Sequence, residues 1–504
     1  MTVLTREISK LDTKWDFPVM VDIAENFSGS LSVVESDQPF TFKYSTTDAN
    51  STNWVGLWHS SRGGPVDGRK AESSLVWKYA TGREGTVQLS TNSLLDGVYT
   101  AYFLADDAYQ WLAEPIEVRL TSTPGGVAFP VHNITLHSAR EGEEYQAAIG
   151  GLAIGGGNST VNFTKVDGAA WVNVDSNGTL SGTPDIIGPS PVTVEATGAD
   201  KSTTNLEISI PVQKSGAALQ KLKVLTFNLW MGGTQVSGYH EKQLRFLLDS
   251  GADVVGLQES TGGHATRLAE ALGWYYWDTG DSFSGMSRYP IVEKYKLTSK
   301  SGGMRIALDG GDSQLNFWFT HLGYTPYGPY DFCYDGMTVD EVMEREAKSG
   351  RTAQIKETIT AMAGQIAGAK KIPVILVGDF NAPSHVDYTD AAKDKHCGYA
   401  NVPWPTSKEP IDAGLTDSFR EAHPDPHSTP GITWSPIYPF HNGTTGKPEP
   451  QDRIDFIYYA GNLKVLASDR VVVGEPAPYP NQRSNEWTSD HAAMLTTYRL
   501  LREV

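Results

Sequence analysis

Cysteine is almost missing from this chain. Two residues in 504, Cys333 and Cys397, exclude a disulfide scaffold and a cysteine-cluster metal centre. They leave open one disulfide or two free thiols. Long apolar runs are missing too. No stretch approaches the roughly 20 residues that cross a bilayer, so no membrane span is expected. The charged segment 1–16 has no apolar core of the signal-peptide kind. The sequons at Asn26, Asn50, Asn133, Asn158, Asn162, Asn177 and Asn442 permit secretion. The chain is therefore read as a secreted protein in mature form, with a cytoplasmic one as the alternative. Positive charge is scarce: 41 Lys and Arg against 59 Asp and Glu leave a net charge of −18. Each phosphate contact on a long polyanion takes a Lys or Arg, so no stable nucleic-acid complex is expected.

The length is too great for one core and suggests three domains. The boundaries are read as 1–122, 123–215 and 216–504. The first part alternates short aromatic strands with turns: Phe40–Tyr44, Trp54–Trp58, Ser74–Tyr79, Thr86–Ser90 and Gly97–Leu104. That pattern predicts an antiparallel β-sandwich. The order Asn53-Trp-Val-Gly-Leu-Trp, Leu75-Val-Trp-Lys-Tyr and Gly97-Val-Tyr-Thr-Ala-Tyr resembles the β-sandwich modules that precede phosphatase domains or occur in SKICH-type proteins. Trp54, Trp58, Trp77 and Trp111 either form a ligand patch or pack as core, the commoner fate of such rings. Residues 121–126 read as a linker. The second part, with Ala170–Asp175, Gly178–Pro184, Pro191–Thr197 and Leu206–Val212, is similar to Ig or cadherin-like modules of extracellular proteins. Modules of that kind suggest a glycan or surface contact.

From Lys221 the periodicity changes. Apolar strands alternate with helical stretches at 240–250, 266–272 and 339–366, the last either continuous or broken near Gly350, as a layered α/β fold requires. The run Ile372-Pro-Val-Ile-Leu-Val377 reads as a buried strand that delivers Gly378-Asp379-Phe380-Asn381 into a loop. Residues two apart on an extended chain face the same way, so Asp379 and Asn381 can address one bound group. Taken alone, the tetrapeptide is equally a strand followed by an Asx turn. Other strands end the same way: Asn228 after Phe227, Glu259 after Leu257-Gln258, His321 after Phe319-Thr320. Asp455 opens a further strand and Asp490-His491 precedes the last. Polar groups collected at strand ends are where ligands bind in α/β folds.

With Asn228, Glu259, His321, Asp379, Asn381, Asp455, Asp490 and His491 in this order, joined by Leu415-Thr-Asp-Ser-Phe-Arg420 and Thr433-Trp434, residues 222–500 resemble the endonuclease/exonuclease/phosphatase family, related in fold to DNase I. The resemblance implies a four-layer α/β sandwich, which with the two N-terminal all-β, Ig-like sandwiches read above makes a multidomain chain. It also implies a hydrolase of phosphate esters that uses a divalent cation, Mg²⁺ or alternatively Mn²⁺ or Ca²⁺. It assigns Asn228, Glu259 and Asp490 to the metal. It assigns His321, Asp379, Asn381, Asp455 and His491 to catalysis, with Asp379 and His491 on a solvent-facing rim. Asn381 also holds phosphate. Arg288, in Met286-Ser-Arg-Tyr-Pro290, matches a family strand–loop motif and either touches phosphate or bonds the sheet edge. Asp417 either orients a catalytic group or caps its loop.

Substrate choice in such a fold belongs to loops. The segment 323–335 after His321 is rich in tyrosine. Tyr324 and Tyr327 either contact substrate or belong to a rigid lid. A disulfide between Cys333 and Cys397 would tie this loop to the loop 397–410. A phosphodiesterase on a small or soluble phosphate ester is the reading. A nuclease or a phosphomonoesterase is the alternative, and a non-catalytic binding protein the rival from another class.

Overall fold

The computed structural model describes residues 27–34, 40–59, 65, 73–91, 94, 97–120, 126–155, 161–308, 313–441 and 446–501. The segment 1–16, the linker residues 121–125 and the sequons Asn26, Asn158 and Asn442 lie outside them. The chain divides into two compact units. The first comprises Met1–Val127, Gly155–Val161 and Thr197–Ser202; the second comprises Ala128–Ile154, Asn162–Ala196 and Thr203–Val504. Most of 123–215 therefore shares a unit with 216–504.

In the first unit β1 (Gly29–Val33), β2 (Thr41–Thr46) and β5 (Glu84–Gln88) form one sheet. β4 (Val76–Tyr79), β3 (Trp54–His59), β6 (Gly97–Leu104) and β7 (Ile116–Leu120) form another. Alternate residues point inward. Phe42 and Tyr44 of the first sheet share a core with Val55, Leu57, Tyr99, Ala101 and Phe103 of the second. The outward face of β3 carries Trp54 and Trp58, which cluster with Tyr102, Tyr109 and Trp111; Trp77 stays 52% exposed.

In the second unit the first strands are β8 (Asn133–Thr135), β9 (Ala139–Arg140), β10 (Tyr145–Ala148), β11 (Asn162–Gly168), β12 (Asn173–Val174), β13 (Thr179–Gly182), β14 (Gly188–Thr197) and β15 (Thr203–Gln213). β10-β13-β12 form one sheet. β11-β14-β15-β8 form another, with β9 beside β15.

Two six-stranded sheets follow. The first has the order β18 (Tyr275–Asp278), β19 (Phe283–Ser287), β17 (Val254–Gln258), β16 (Lys221–Asn228), β27 (Ala493–Leu500), β26 (Leu463–Val471). The second runs β20 (Ile291–Lys294), β21 (Ser301–Ala307), β22 (Gln314–His321), β23 (Val374–Asp379), β25 (Asp455–Ala460), β24 (Thr416–Asp417). They pack face to face through Val224, Val254 and Met494 on one side and Phe317, Phe319, Val377 and Ile457 on the other. Side chains of this size each contribute about 1.5–3 kcal/mol on leaving water. Glycines set the approach: a Cβ on Gly256 would lie 2.3 Å from Val377, and one on Gly285 2.5 Å from Phe319. α1 (Tyr239–Ser250) covers the first sheet, with Phe246 on Phe227 at 5.0 Å between centroids, and α2 (His264–Leu272) follows β17. α5 (Arg351–Ala367) covers the second sheet, placing Ile355 and Met362 against Trp318 and Leu376. Helix, sheet, sheet and helix make the DNase I-like layering.

Several boundaries differ from the sequence reading. Of the two readings of 339–366 the broken one holds: it is two helices, α4 (Val339–Lys348) and α5, because Gly350 takes φ 83°. The loops expected at 323–335 and 397–410 contain α3 (Gly328–Asp335) and α6 (Pro405–Asp412), each begun by a proline in the first turn, where its missing N–H has no partner to lose. α7 (Ser418–Ala422) is capped by Asp417, whose carboxylate accepts from the amides of Phe419 and Arg420. Cys333 and Cys397 are bonded, across 64 positions of sequence.

Residues 128–154 lean on the layered part through backbone. A Cβ on Gly151 would lie 2.5 Å from Ala271 Cα, and Gly273, at φ 68°, approaches Ala148 O equally closely. Arg245 Nε donates to Pro130 O (3.3 Å). Beside this seam His137 lies with its ring 4.7 Å from Tyr145. Burial first, and the Arg288 guanidinium second, push its pKa down to about 4. The imidazole is thus neutral in the folded chain but takes a proton in the unfolded chain below its ordinary value near 6.5. Its contribution to stability is whole above that pH and is lost as pH falls towards about 4. His137→Gln should flatten the fall of Tm across this window in calorimetry. A slope equal to wild type would mean that the folded ring titrates normally.

Candidate active site

β16 and β17 are parallel, with Asn228 beside Gln258, so both strands end at one rim. β22 and β23 are parallel as well, with His321 beside Asp379, and antiparallel β25 sets Asp455 opposite Asp379. Packing the sheets brings the two rims together. Asn228 Nδ2 donates to Asp379 Oδ2 at 3.0 Å, a bond between residues 151 positions apart. The same asparagine accepts from Trp230 N through Oδ1 (2.9 Å), and its carbonyl accepts from Ser489 Oγ (2.6 Å). That last bond fixes the approach of Asp490-His491.

Asp379 is the centre of the cluster. Its Oδ1 accepts from Asn381 N (2.8 Å); its Oδ2 lies 3.6 Å from His321 Nε2 and 3.8 Å from His491 Nε2. Burial raises the Asp379 carboxyl, against the pull of His491, and Asp455 adds to the rise. His491 is bonded through Nδ1 to Asp455 Oδ2 at 2.9 Å. Burial alone would lower the imidazole, but Asp455 and Asp379 override it and hold His491 well above its ordinary value. Asp455 is steadied by Thr433 Oγ1, which accepts from the amides of Ile454 and Asp455. His321 shares Nδ1 with Ser282 Oγ (3.1 Å). Asn381 points its amide back to Leu322 O (3.0 Å).

Glu259 accepts from Met231 N, and its carboxylate acts on Asp490. Burial first, with Glu259 adding to it, raises Asp490 well above the usual carboxylate range. Four residues here hold φ between 51° and 55°: Trp230, Met231, Glu259 and Asn381. Non-glycine residues rarely take this conformation, and strain of that kind gathers where function over-determines the backbone.

Of the residues the sequence singled out, the structure brings Asn228, His321, Asp379, Asn381, Asp455 and His491 into one bonded cluster, with Glu259 and Asp490 acting on each other beside it. The rim is not solvent-facing at its centre: Asp379 is 1% and His491 3% exposed. Three residues expected at the substrate have these surroundings. Arg288 follows Ser287, which pairs with Val254 at the end of β17 remote from Glu259. Its Nε donates to Ala252 O (2.8 Å) and its Nη1 to Thr135 O (2.9 Å), and it stacks on Trp274. Tyr327 is buried and its hydroxyl donates to Asp452 Oδ2 (3.2 Å). Tyr324 stands in solvent, 73% exposed. Sequence reasoning passed over Ser282 and Tyr438, whose positions carry no motif. It noted Trp434 without its place, 5.0 Å from the His491 ring.

Asp379, Asp455 and His491 offer ligand atoms within 4.8 Å of one another, near enough to share a metal ion. Asp455 Oδ1 and Asp490 Oδ1 are buried without a hydrogen-bond partner. Buried carboxylate oxygens left bare are costly unless a cation meets them.

A carboxylate held by amides, an imidazole braced by a second carboxylate and buried carboxylate oxygens without a partner thus share one rim. Residues 225–491 match the family model described as "Endonuclease/Exonuclease/phosphatase family", and the chain belongs to that family of hydrolases. It is 32% identical over 296 residues to the uncharacterized protein F14F9.5 of Caenorhabditis elegans, a match covering 56% of this chain and 92% of that one. Solved structures similar to it include the human Nocturnin catalytic domain with bound sulfate, at 16% identity, covering 56% of this chain and 96% of that one, with a TM-score of 0.37. Another is an endonuclease/exonuclease/phosphatase family protein from Bacteroides thetaiotaomicron, at 18% identity, covering 56% and 99%, with a TM-score of 0.38.

The position of Arg288 is open to a direct check. Arg288→Ala should cost about 1–3 kcal/mol of stability, because two carbonyls lose their donor and Asp253 its guanidinium. It should leave kcat/KM for a phosphate ester within about threefold of wild type. Unchanged Tm with a large loss of kcat/KM would return Arg288 to the phosphate.

Proposed function

We propose that this chain is a divalent-metal-dependent phosphodiesterase acting on a small or soluble phosphate ester. The observation that carries the reading is the bonded line Asn228–Asp379 with His491–Asp455 facing it. Asp379 is the base that orients and deprotonates water, with one oxygen held by the Asn228 side chain and the other by the Asn381 amide. A general base gains from a carboxyl raised by burial. His491, kept cationic by Asp455, donates from Nε2 to a phosphoryl oxygen. His321 lies on the other side of Asp379 and meets charge that builds in the transition state. Donors fixed in advance are worth most where water is excluded.

The donor set suits a hard cation. Glu259 and Asp490 supply carboxylate oxygens, and Asn228 Oδ1 keeps a lone pair beyond its bond from Trp230 N. Mg²⁺ takes few protein ligands, all oxygens, and Mn²⁺ accepts the same set. Bound there, it would neutralise charge on the phosphate and the leaving oxygen. The His491–Asp455 bond argues that the Asp379, Asp455 and His491 group handles protons and leaves the metal to Glu259 and Asp490.

Charge favours a diester over a monoester. Four carboxylates, Glu259, Asp379, Asp455 and Asp490, face two imidazoles at the cluster. One divalent cation leaves this balance short of what a dianionic monoester needs, and closer to what a monoanionic diester needs. The Cys333–Cys397 bond supports an oxidising compartment, in line with secretion.

Purified protein should hydrolyse bis-p-nitrophenyl phosphate faster than p-nitrophenyl phosphate or plasmid DNA. EDTA should abolish this, and Mg²⁺ or Mn²⁺ should restore it. Asp379→Asn and His491→Ala should each lower kcat by about 10²-fold or more. Full turnover in EDTA, or in either variant, would defeat the reading.

A further inference from the structure

Beside His491 the site has a wall of aromatic rings that no catalytic role uses. Trp434 lies 5.0 Å from the His491 ring and 5.4 Å from Tyr438 between centroids. Tyr438 lies 5.3 Å from Tyr479 and 6.4 Å from Trp230. Trp434 and Tyr438 are half-buried; Tyr479, and Met231 next to Trp230, are 37% and 44% exposed. Four rings thus form a patch partly open to solvent. The patch adjoins Asp490 as well, through Ser435 Oγ, which bonds both Asp490 O and Tyr438 N.

The wall is rigid. Ser435 Oγ donates to Asp490 O (2.6 Å) and accepts from Tyr438 N (3.2 Å), which clamps 435–438 onto the segment that carries His491. Trp434 Nε1 donates to Glu449 Oε1 (2.7 Å), and Trp434 exchanges backbone bonds with Asp452. Rings held this firmly beside reacting groups lose little entropy when a flat partner stacks on them. Glu259, Glu449 and Asp490 around the patch disfavour an anionic partner.

We infer that Tyr438 and Trp434 select the substrate, and that they bind a neutral, planar ring system on one alcohol of the phosphodiester, a nucleobase or an aryl group. The inference rests on the phosphodiesterase reading and adds a substrate class to it. Stacking of one ring system on aromatic side chains changes affinity on the order of tenfold to a hundredfold.

The test keeps one leaving group, p-nitrophenolate, and varies the other alcohol among methyl, phenyl and thymidine-5′. Full-length protein should favour the phenyl ester, the thymidine ester or both over the methyl ester by about tenfold or more in kcat/KM, mainly through KM. A preference confined to phenyl assigns an aryl group; one confined to thymidine assigns a nucleobase. Tyr438→Ala should erase most of the preference, while Tyr438→Phe should retain it. Equal kcat/KM for all three esters would overturn this inference and leave the phosphodiesterase reading standing. If none is cleaved, that reading falls. Calorimetric binding of the same esters to the Asp379→Asn variant then decides the inference by itself: tighter binding of a ring-bearing ester supports it, and equal Kd values overturn it.

Discussion

A single side-chain bond between two sheets, Asn228 Nδ2 to Asp379 Oδ2 at 3.0 Å, is the point on which the site turns. Each sheet by itself ends in polar residues that have no means of acting together. The amide of one rim and the carboxylate of the other meet because the sheets approach closely enough for Gly256 to face Val377 and Gly285 to face Phe319. The hydrophobic interface thereby sets the distance between the polar groups of the two rims. A side chain larger than hydrogen at either glycine would press on the opposite sheet, and cores of this density transmit such strain. Packing and chemistry are in this sense one constraint.

Much of this was legible in the sequence because it rests on local signals. A buried strand ending in Gly378-Asp379-Phe380-Asn381 announces itself by an apolar run and then a sudden polar pair. The ordered recurrence of such ends named Asn228, Glu259, His321, Asp455 and His491 before any geometry. What stayed hidden is non-local. Arg288 lies in a motif-like string, yet register decides its fate: β19 runs antiparallel to β17, so the residue after Ser287 emerges far from Glu259. The tyrosines of 323–335 look like a substrate loop in one dimension. In three, Tyr327 turns inward to Asp452 and Tyr330 bonds Glu449 at 2.6 Å. Tyr438 has no motif at all, and only the Ser435 clamp places it beside His491. Gly350 is by contrast a local signal, a glycine inside a helical pattern, and the chain breaks there.

The disulfide and the tyrosines belong to one supporting shell. Cys333 sits in α3 with Tyr330 and Tyr334, and Cys397 follows His396, whose ring stacks on Tyr388 at 3.9 Å. Tyr327 and Tyr388 both donate to Asp452, the backbone partner of Trp434. A bond closing 64 positions of sequence removes unfolded-state entropy on the order of 4 kcal/mol. Its consequence reaches the cleft through Asp452 and Trp434, so the segment the sequence presents as a lid acts as a buttress.

Two clusters of buried acids in this domain have opposite fates, and the contrast separates scaffold from site. Asp387 and Asp417 are closed by arginines: Arg453 bonds both, and Arg420 bonds Asp387 at 2.6 Å. Burial would raise Asp387, but the two guanidiniums override it and hold its carboxyl below the usual range. Every charge there has a partner within the chain, so the cluster holds Asp455 and α7 in place and has nothing left to offer a ligand. Around Asp379 the acids are comparably buried, yet no arginine bond closes them among the described residues. Asp455 Oδ1 and Asp490 Oδ1 stay bare, and the carboxyls of Asp379 and Asp490 are pushed up. Evolution had the means to neutralise buried acids with guanidiniums a few residues away, since Arg453 is two positions before Asp455. The second cluster thus keeps carboxylate oxygens that suit the divalent cation proposed above, where the first keeps none.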